Sequence, residues 1–214
     1  MHKVASVVLE GYREWTESLG DDREWKIQLK QAEIDMVATR AAKDVGAFYI
    51  PTRKDVLFFV LNGVEDPAPI FEEVSKVSPV PISVVVGCGR TPLAALNSRE
   101  TCKVTSNIAA IHIDINFFRT RDKYLGFVES VDLLDDILKI GIGYGSIGTY
   151  LGGDNIVMFS DPSAAGELAR LISSFYDVKV GVGIDKTPRG ALELAARALR
   201  LLREDRTSKV IILK

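Results

Sequence analysis

The sequence predicts an α+β protein built from two tandem halves that share the element order β-α-β-β-α-β. Two observations lead to this fold class: short motifs recur in both halves, and the hydrophobic patterns between the motifs follow one order. The chain has 214 residues, of which 47% are hydrophobic and 26% are charged, so it can bury two small cores. We therefore expect two ferredoxin-like domains, each with an antiparallel sheet.

The internal repeat is clearest where a glycine-rich segment runs into Thr-Pro. The pattern Gly-x-x-x-Thr-Pro-x-x-Ala-Leu begins at Gly87 and again at Gly183. Further upstream, Asp55 and Asp154 each precede an apolar run. The spacing between matched residues changes by only a few residues along the chain, which indicates duplication with small insertions.

Periodicity predicts the elements of the second half. The β-branched run 108–115 is typical of a strand. Apolar residues at about every third position then predict one apolar helix stripe, formed by Leu125, Val128, Val131, Leu134 and Ile137. The glycines at 141, 143 and 145 are expected to end this helix. We then expect a hairpin at 149–159, a helix at 162–175 and a strand at 178–184. A helix that begins at Thr187-Pro188 and an edge strand at 210–213 complete this half.

The first half repeats this order. We expect a strand, a helix, a hairpin, a helix, a strand and a short helix after Pro92, with the first five at 4–10, 22–44, 47–62, 67–76 and 81–87. The boundary between the halves is predicted near Lys103, which divides the chain into residues 1–103 and 104–214.

Composition excludes several classes of protein. The 27 Lys and Arg residues nearly balance the 29 Asp and Glu residues, so the chain lacks the basic footprint of a nucleic-acid-binding protein. The apolar runs are far shorter than the roughly 20 residues that cross a bilayer. Two cysteines, Cys88 and Cys102, do not make a disulfide framework, and together with His2 and His112 they do not build an ordinary zinc site. We expect a cytoplasmic protein that binds neither nucleic acid nor membrane.

Two acidic residues of the second half are candidates for a metal site. In the predicted order the first strand lies beside the hairpin, so Asp114 at its end approaches Asp154 in the hairpin turn. Two carboxylates suit Mg²⁺, which takes oxygen ligands and retains water for substrate phosphates. Gly152 and Gly153 would let a phosphate approach the backbone, although the same residues also suit an ordinary turn.

Other polar residues near this pair carry two interpretations each. His112 shares a strand face with Asp114 and is either a general acid or base or a histidine satisfied by a neighbour. Asn116 could read a guanine edge or cap a turn, and Asn155 could serve the turn. Arg203 is either a phosphate clamp or part of a solvated helix face with other arginines.

These motifs resemble known nucleotide enzymes. The segments 113–115, 152–155 and 195–203 resemble the palm-type catalytic core of nucleotidyl cyclases and GGDEF-type diguanylate cyclases. More closely, the whole chain resembles the archaeal GTP cyclohydrolase III family, also called GTP cyclohydrolase IIa. The resemblance lies in the residues from Gly11 to Thr16, Thr52-Arg53 with Asp55, His-Ile-Asp-Ile-Asn at 112–116, Gly-Gly-Asp-Asn at 152–155, and 183–187.

The resemblance implies hydrolysis of GTP to a formylaminopyrimidine ribosyl phosphate and phosphate, in flavin and deazaflavin synthesis. Mg²⁺ would be held by Asp114, Asp154 and the backbone carbonyl of Ile115, and a monovalent cation is a second candidate cofactor. The implied catalytic residues are His112, Asp114 and Asp154, and the implied substrate-binding residues are Asn116, Gly152, Gly153, Asn155 and Arg203. We expect GTP as the partner molecule and a homo-oligomer.

Three alternatives remain open at this point. The same carboxylates would serve a nucleotidyl cyclase or polymerase, and the duplicated fold could bind GTP as a sensor without turnover. In the first half, Glu10 and Asp55 are expected to repeat the acidic pair, but Arg53 and Lys54 stand where the second half has glycines. We interpret that half as a degenerate repeat that serves as a partner surface, with a second metal centre as the alternative.

Overall fold

The computed structural model describes residues 1–116, 122–205 and 207–214. Its strands are β1 (His2–Leu9), β2 (Phe48–Ile50), β3 (Val56–Val60), β4 (Ile82–Gly89), β5 (Ile108–Ile115), β6 (Ile147–Gly152), β7 (Asn155–Ser160), β8 (Val178–Asp185) and β9 (Val210–Leu213). Its helices are α1 (Tyr12–Ser18), α2 (Arg23–Asp44), α3 (Ala68–Val77), α4 (Pro92–Leu96), α5 (Lys123–Gly143), α6 (Pro162–Phe175) and α7 (Pro188–Glu204).

The strands form two sheets, one in each half. Their orders are β2-β3-β1-β4 and β6-β7-β5-β8-β9, and every pair except β8 with β9 is antiparallel. The first strand of each half is therefore central and lies beside the hairpin strand, as the ferredoxin-like order requires. The predicted α+β fold of two tandem ferredoxin-like domains is confirmed. Helix α1 was not predicted.

The repeated Thr-Pro motif has the same structural cause in both halves. The side chains of Thr91 and Thr187 accept hydrogen bonds from backbone N–H groups in the first turns of α4 and α7, which confirms that they cap these helices. The glycine before each threonine allows the helix to lie close on the strand. A Cβ at Gly87 or Gly183 would approach a backbone oxygen of the following helix, that of Ala95 or Ala191, to 2.3 Å or 2.0 Å, respectively.

The predicted apolar stripe of α5 is wrong in its first half. Leu125, Val128 and Val131 are exposed, whereas the buried positions of this helix include Gly126, Ser130 and Ile137. Small residues occupy the buried side of the helix here, and the large apolar residues occupy its exposed side. The helix also continues past Gly141 to Gly143. Gly141 is required within the helix, because a Cβ at this position would collide with Met158. The chain turns away from the helix at Gly145, which has a φ of 68°.

Three apolar clusters hold the structure together. One lies between the first sheet and helices α2 and α3, and a second lies between the second sheet and helices α5 and α6. The third joins the halves through the opposite faces of the sheets, where the ring of Phe48 packs at a tilt against that of Phe159, with ring centroids 4.9 Å apart. On this side of the second sheet, β5 and β7 are therefore covered by α7 and by the first half.

The two cysteines form a disulfide, which the sequence analysis did not predict. Cys88 at the end of β4 pairs with Cys102, 14 residues later in the chain. The chain returns to β4 after α4, and the backbone N–H of Cys88 donates to the carbonyl of Glu100 at 2.8 Å. A count of two cysteines carries no information about this return.

Among the described residues, no helix has both the length and the apolar character that crossing a membrane requires.

Candidate active site at the end of strand β5

The site lies where β5 meets the hairpin of β6 and β7. Asp114 faces Asn155 across the β5–β7 pair, and the backbone N–H of Ile115 donates to the carbonyl of Asp154 at 2.9 Å. His112 lies two residues before Asp114 on the same strand face. The structure thus brings together four of the predicted residues: His112, Asp114, Asp154 and Asn155.

Asn155 links an acidic residue to the histidine. Its Nδ2 donates to Asp154 Oδ1 at 2.5 Å, and its Oδ1 lies 2.9 Å from His112 Nε2. An ionised carboxylate only accepts hydrogen bonds, so Asp154 directs the amide nitrogen of Asn155 towards itself and the amide oxygen towards His112. His112 Nε2 must then carry the proton that it donates, and Nδ1 of the neutral ring keeps a lone pair.

The environment keeps His112 neutral. Burial lowers its pKa from the ordinary value, although the hydrogen bond that His112 donates to Asn155 and the negative charge of Asp114 act in the opposite direction. Its Nδ1 is buried, and none of the described residues forms a hydrogen bond with it. A neutral imidazole with an unoccupied lone pair is the form that can accept a proton.

Asp114 forms an ion pair with a basic residue of the last helix. Arg203, in the final turn of α7, places its guanidinium 3.1 Å from Asp114 Oδ2. The arginine side chain is 64% exposed and the aspartate side chain only 11%, so the guanidinium forms the solvent-facing side of this pair. An exposed arginine on a buried carboxylate can exchange that contact for another anion.

Lys179 is a site residue that sequence reasoning missed. It faces Asp114 across the β5–β8 pair, and its Nζ donates to the carbonyl of Leu202 at 2.8 Å. This bond fixes the last turn of α7, which carries Arg203. The signal was available: Val178 and Val180 face the core, so alternation places the lysine on the face that carries Asp114.

The hairpin turn leaves its backbone open. Gly152 and Gly153 have φ values of 104° and 63°, and a Cβ at either position would meet nothing within 4 Å. The hydroxyl of Tyr150 donates to the carbonyl of Gly153 at 2.7 Å and so holds the turn. The backbone here combines a left-handed conformation with room for a ligand to approach.

Asn116 contacts Asp177, the residue that precedes β8. Its Nδ2 donates to Asp177 Oδ1 at 3.0 Å, and its backbone N–H donates to the carbonyl of Asp177 at 3.2 Å. These bonds correspond to the turn-capping interpretation of this residue, and they do not connect it to the chain of bonds through Asn155.

The donor set suits a hard cation. No group of three or more histidine, cysteine, aspartate or glutamate side chains that could hold a metal occurs within residues 1–116, 122–205 and 207–214. Asp114 and Asp154 each offer one carboxylate, and the backbone bond from Ile115 to Asp154 joins the segments that carry them. One or two carboxylates completed by water and phosphate oxygens are the usual ligands of Mg²⁺, so these residues fit that ion.

The first half does not repeat the acidic pair, which corrects the expected match of Glu10 with Asp114. The backbone N–H of Leu9 donates to the carbonyl of Asp55 at 2.9 Å, as that of Ile115 donates to Asp154. Leu9 therefore matches Ile115, and the residue before it, Val8, occupies the position of Asp114.

The other site positions of the first half are also different. Ser6 matches His112, Val56 matches Asn155, and Glu10 matches Asn116. Asp55 is retained, but Arg53 binds it with two nitrogens at 3.1 and 2.8 Å. A single carboxylate with Val8 in place of its acidic partner is a poor start for a cation site, so the geometry disfavours a second metal centre here.

The chain is similar to known proteins over its whole length. The family model described as GTP cyclohydrolase III matches it twice, over residues 4–112 and 98–214. A GTP cyclohydrolase III from Pyrobaculum calidifontis is 36% identical and covers 100% of both chains. A GTP cyclohydrolase III from Aeropyrum pernix is 34% identical over 94% of this chain and 92% of its own.

Solved structures give weaker likenesses. A GGDEF domain from Pseudomonas aeruginosa is 19% identical, with a TM-score of 0.38, over 50% of this chain and 83% of its own. A bacterial light-regulated adenylyl cyclase is 10% identical, with a TM-score of 0.41, over 99% of this chain and 85% of its own.

Proposed function

The chain belongs to the GTP cyclohydrolase III family, and from this premise we propose that it hydrolyses GTP at two places. One hydrolysis opens the imidazole ring at C8 and retains that carbon as a formyl group. The other cleaves the α–β phosphoanhydride and leaves a monophosphate. Cleavage of the α–β bond releases pyrophosphate, which a further water molecule splits at the β–γ bond, so the products are a formylaminopyrimidine ribosyl monophosphate and two phosphate ions. The observation that carries the proposal is the bonded series Asp154–Asn155–His112 beside the Asp114–Arg203 pair.

His112 is the proposed acid-base group for ring opening. Addition of water to C8 requires that a proton be removed from the water and that a ring nitrogen later be protonated. Nδ1 is buried in the structure, so we propose that GTP binding opens it to the attacking water; its lone pair then accepts the first proton, and the protonated ring returns it. Asp154 acts on this step through Asn155, because it fixes which nitrogen of His112 carries the proton in the resting state.

Asp114, Asp154 and the carbonyl of Ile115 are the proposed ligands of Mg²⁺. The bound ion would neutralise triphosphate charge and lower the pKa of a water molecule. Arg203 binds Asp114 in the structure, and we propose that it turns to substrate phosphate when GTP binds. The open backbone of Gly152 and Gly153 leaves room for the phosphate chain, and Asn116 remains a candidate contact to the base.

Product analysis tests this proposal. The protein is incubated with GTP in the presence of either Mg²⁺ or a chelator. The nucleotides are then separated, and their masses are measured by mass spectrometry. We expect a ring-opened monophosphate that retains the formyl carbon, formed only with the metal. A cyclic or linked nucleotide would assign the chain to the cyclase or polymerase chemistry instead. Mg²⁺-dependent GTP binding without phosphate release would make it a sensor.

A further inference from the structure

Helix α2 carries a second apolar stripe that faces solvent. Ile27, Ile34 and Ala38 lie on its inner side, the last two fully buried against the first sheet. On the opposite side Trp25, Leu29 and Met36 are 70%, 74% and 53% exposed. Surface residues of this size occur singly in most soluble proteins, so a row of them on one helix requires an explanation.

The exposed stripe has the spacing of a helix-pairing seam. Ala32 is also exposed, and with it the stripe reads Trp25, Leu29, Ala32 and Met36, at intervals of four, three and four residues. This alternation is the heptad pattern by which two helices pack side by side. The helix has 22 residues, which corresponds to about 33 Å and is long enough for such a contact.

We propose that this seam, formed by Trp25, Leu29, Ala32 and Met36, joins two copies of the chain through an antiparallel α2–α2 contact. A two-fold axis between Leu29 and Ala32 places Leu29 opposite Ala32 of the second copy and Trp25 opposite Met36 of the second copy. Each large side chain at the centre then meets a small one, and the same contacts occur twice, as an isologous interface requires.

The charges beside the seam match in the same register. Lys26 and Glu33 follow Trp25 and Ala32 on one flank of the stripe, so the antiparallel arrangement brings Lys26 next to Glu33 of the second copy, twice. Lys26 Nζ has a long 3.3 Å bond to the carbonyl of Leu19, and Glu33 binds Lys30 of its own helix, so both lie at the helix surface with side chains available for exchange. Opposite charges on such flanks select the partner and its orientation.

Helix α5 of the second half provides the contrast. Six large apolar residues of this helix are exposed: Tyr124, Leu125, Phe127, Val128, Val131 and Ile142. Of these, Tyr124, Val128 and Val131 follow the same spacing, but Asp135 occupies the next seam position. The flanking residues that self-pairing would bring together are Leu125 and Asp132, which do not complement each other. The α2 seam is therefore favoured as the contact between copies, independently of the proposed function.

Measurement of the molar mass in solution, by light scattering and sedimentation equilibrium, tests the contact. We expect an oligomer whose mass is halved by Leu29→Glu, with the dissociation constant raised at least about tenfold, or about 1.4 kcal/mol. Val131→Glu on α5 is the matched control and should leave the mass unchanged. A monomeric wild-type protein, or a mass that responds to Val131→Glu and not to Leu29→Glu, would overturn the proposal. Unchanged circular dichroism would show that the variants fold.

Charge reversal tests the register. Lys26→Glu and Glu33→Lys should each weaken the dimer, because each places like charges opposite one another. The double variant restores both ion pairs and should return to the wild-type dissociation constant. If the double variant is as weak as the weaker single variant, the antiparallel register is wrong.

Discussion

The two halves share a topology and differ in the chemistry of one sheet face. On that face the second half carries Asp114 and His112 on its central strand, where the first half carries Val8 and Ser6. Both halves bury the same kind of core on the other face, with an apolar cluster under two helices. The comparison teaches that the fold needs only the core-facing residues, so duplication can preserve the scaffold while one site is lost.

The helices that follow the Thr-Pro motif differ in the same sense. Helix α7 has 17 residues and extends to Arg203 over Asp114, whereas α4 has five and ends at Leu96. Ser83 occupies the position of Lys179, which anchors the last turn of α7. The first half therefore lacks both the acidic residue and the basic residues that surround it.

The largest expected difference between the halves concerns their hairpin acids. Asp154→Asn should reduce turnover by about 10⁴-fold, which is at the upper end for one positioned group. The substitution removes a proposed carboxylate ligand and allows the side-chain amide of Asn155 to flip. Asp55→Asn, at the matching position, and Glu10→Gln should leave turnover near the wild-type value. Phosphate release with GTP and Mg²⁺ is the measurement, and circular dichroism checks the fold. An active Asp154→Asn protein would place the site elsewhere.

The next difference concerns the matched pair His112 and Ser6. His112→Ser gives the second half the side chain of the first and should lower kcat by about 10³-fold. In the wild type, kcat/KM should be constant above pH 6.5, because burial lowers the pKa of His112 from that value, and should fall as lower pH protonates the ring. The residual activity of the variant should lack this decline, and a persistent decline would assign it to another group.

Sequence patterns predicted the element order well and the strand register poorly. The error at Glu10 was a slip of two residues along β1. Such a slip keeps every side chain on its proper face, so alternation of apolar and polar residues cannot detect it. Only the bonds of Leu9 to Asp55 and of Ile115 to Asp154 fix the match.

Predicting the site succeeded where residues were close along a strand or in a turn. His112 and Asp114, two apart on one strand, and Asp154 with Asn155 in one hairpin were found together. The disulfide was missed because it depends on a return of the chain that no local pattern records. Lys179 was missed although the alternation with the core residues Val178 and Val180 places it on the face that carries Asp114. On α5, a stripe every three residues did not show which side faced the sheet, since Gly126 and Ser130 form the buried side.

The disulfide gives a difference in stability between the halves. Cys88 matches Ile184 of the second half, so the cross-link ties down only the first half. Replacing both cysteines by serine frees a loop with a sequence separation of 14 residues, for which chain entropy suggests a loss of about 3 kcal/mol. For a chain of this size the thermal midpoint should fall by about 6–12 °C. An unchanged midpoint in calorimetry would show that the cross-link does not stabilise the fold.

A smaller effect is expected at the end of α7, which α4 lacks. Arg203→Met should raise KM for GTP about tenfold, equivalent to about 1.4 kcal/mol, with a lesser effect on kcat, because it removes a proposed phosphate contact. Arg200→Met, on an exposed position of the same helix, is the matched control and should leave KM unchanged. Equal changes in the two variants would indicate a general effect of helix charge.

The smallest effect concerns the joint between the halves. His2, fully buried at the start of β1, lies 2.8 Å from Asp161 at the start of α6, and Ile108 occupies its position in the second half. Burial lowers the pKa of His2 below 6.5, so the unfolded chain binds this proton more readily than the folded one. Its contribution to stability is therefore complete above pH 6.5 and is lost as the pH falls.

His2→Gln retains hydrogen-bonding groups and removes the titration. Denaturant unfolding between about pH 7 and about pH 5 should show a steeper loss of stability in the wild type than in this variant, since histidine titrates in that range. Asp161 does not interfere, because its pKa is lowered from 3.8 by its bonds to Ser163 and His2, and its contribution is lost only at more acidic pH. Identical pH slopes in the two proteins would mean that the joint carries no proton-linked stability, and that the halves are held together by the apolar contact of Phe48 with Phe159 and its neighbours.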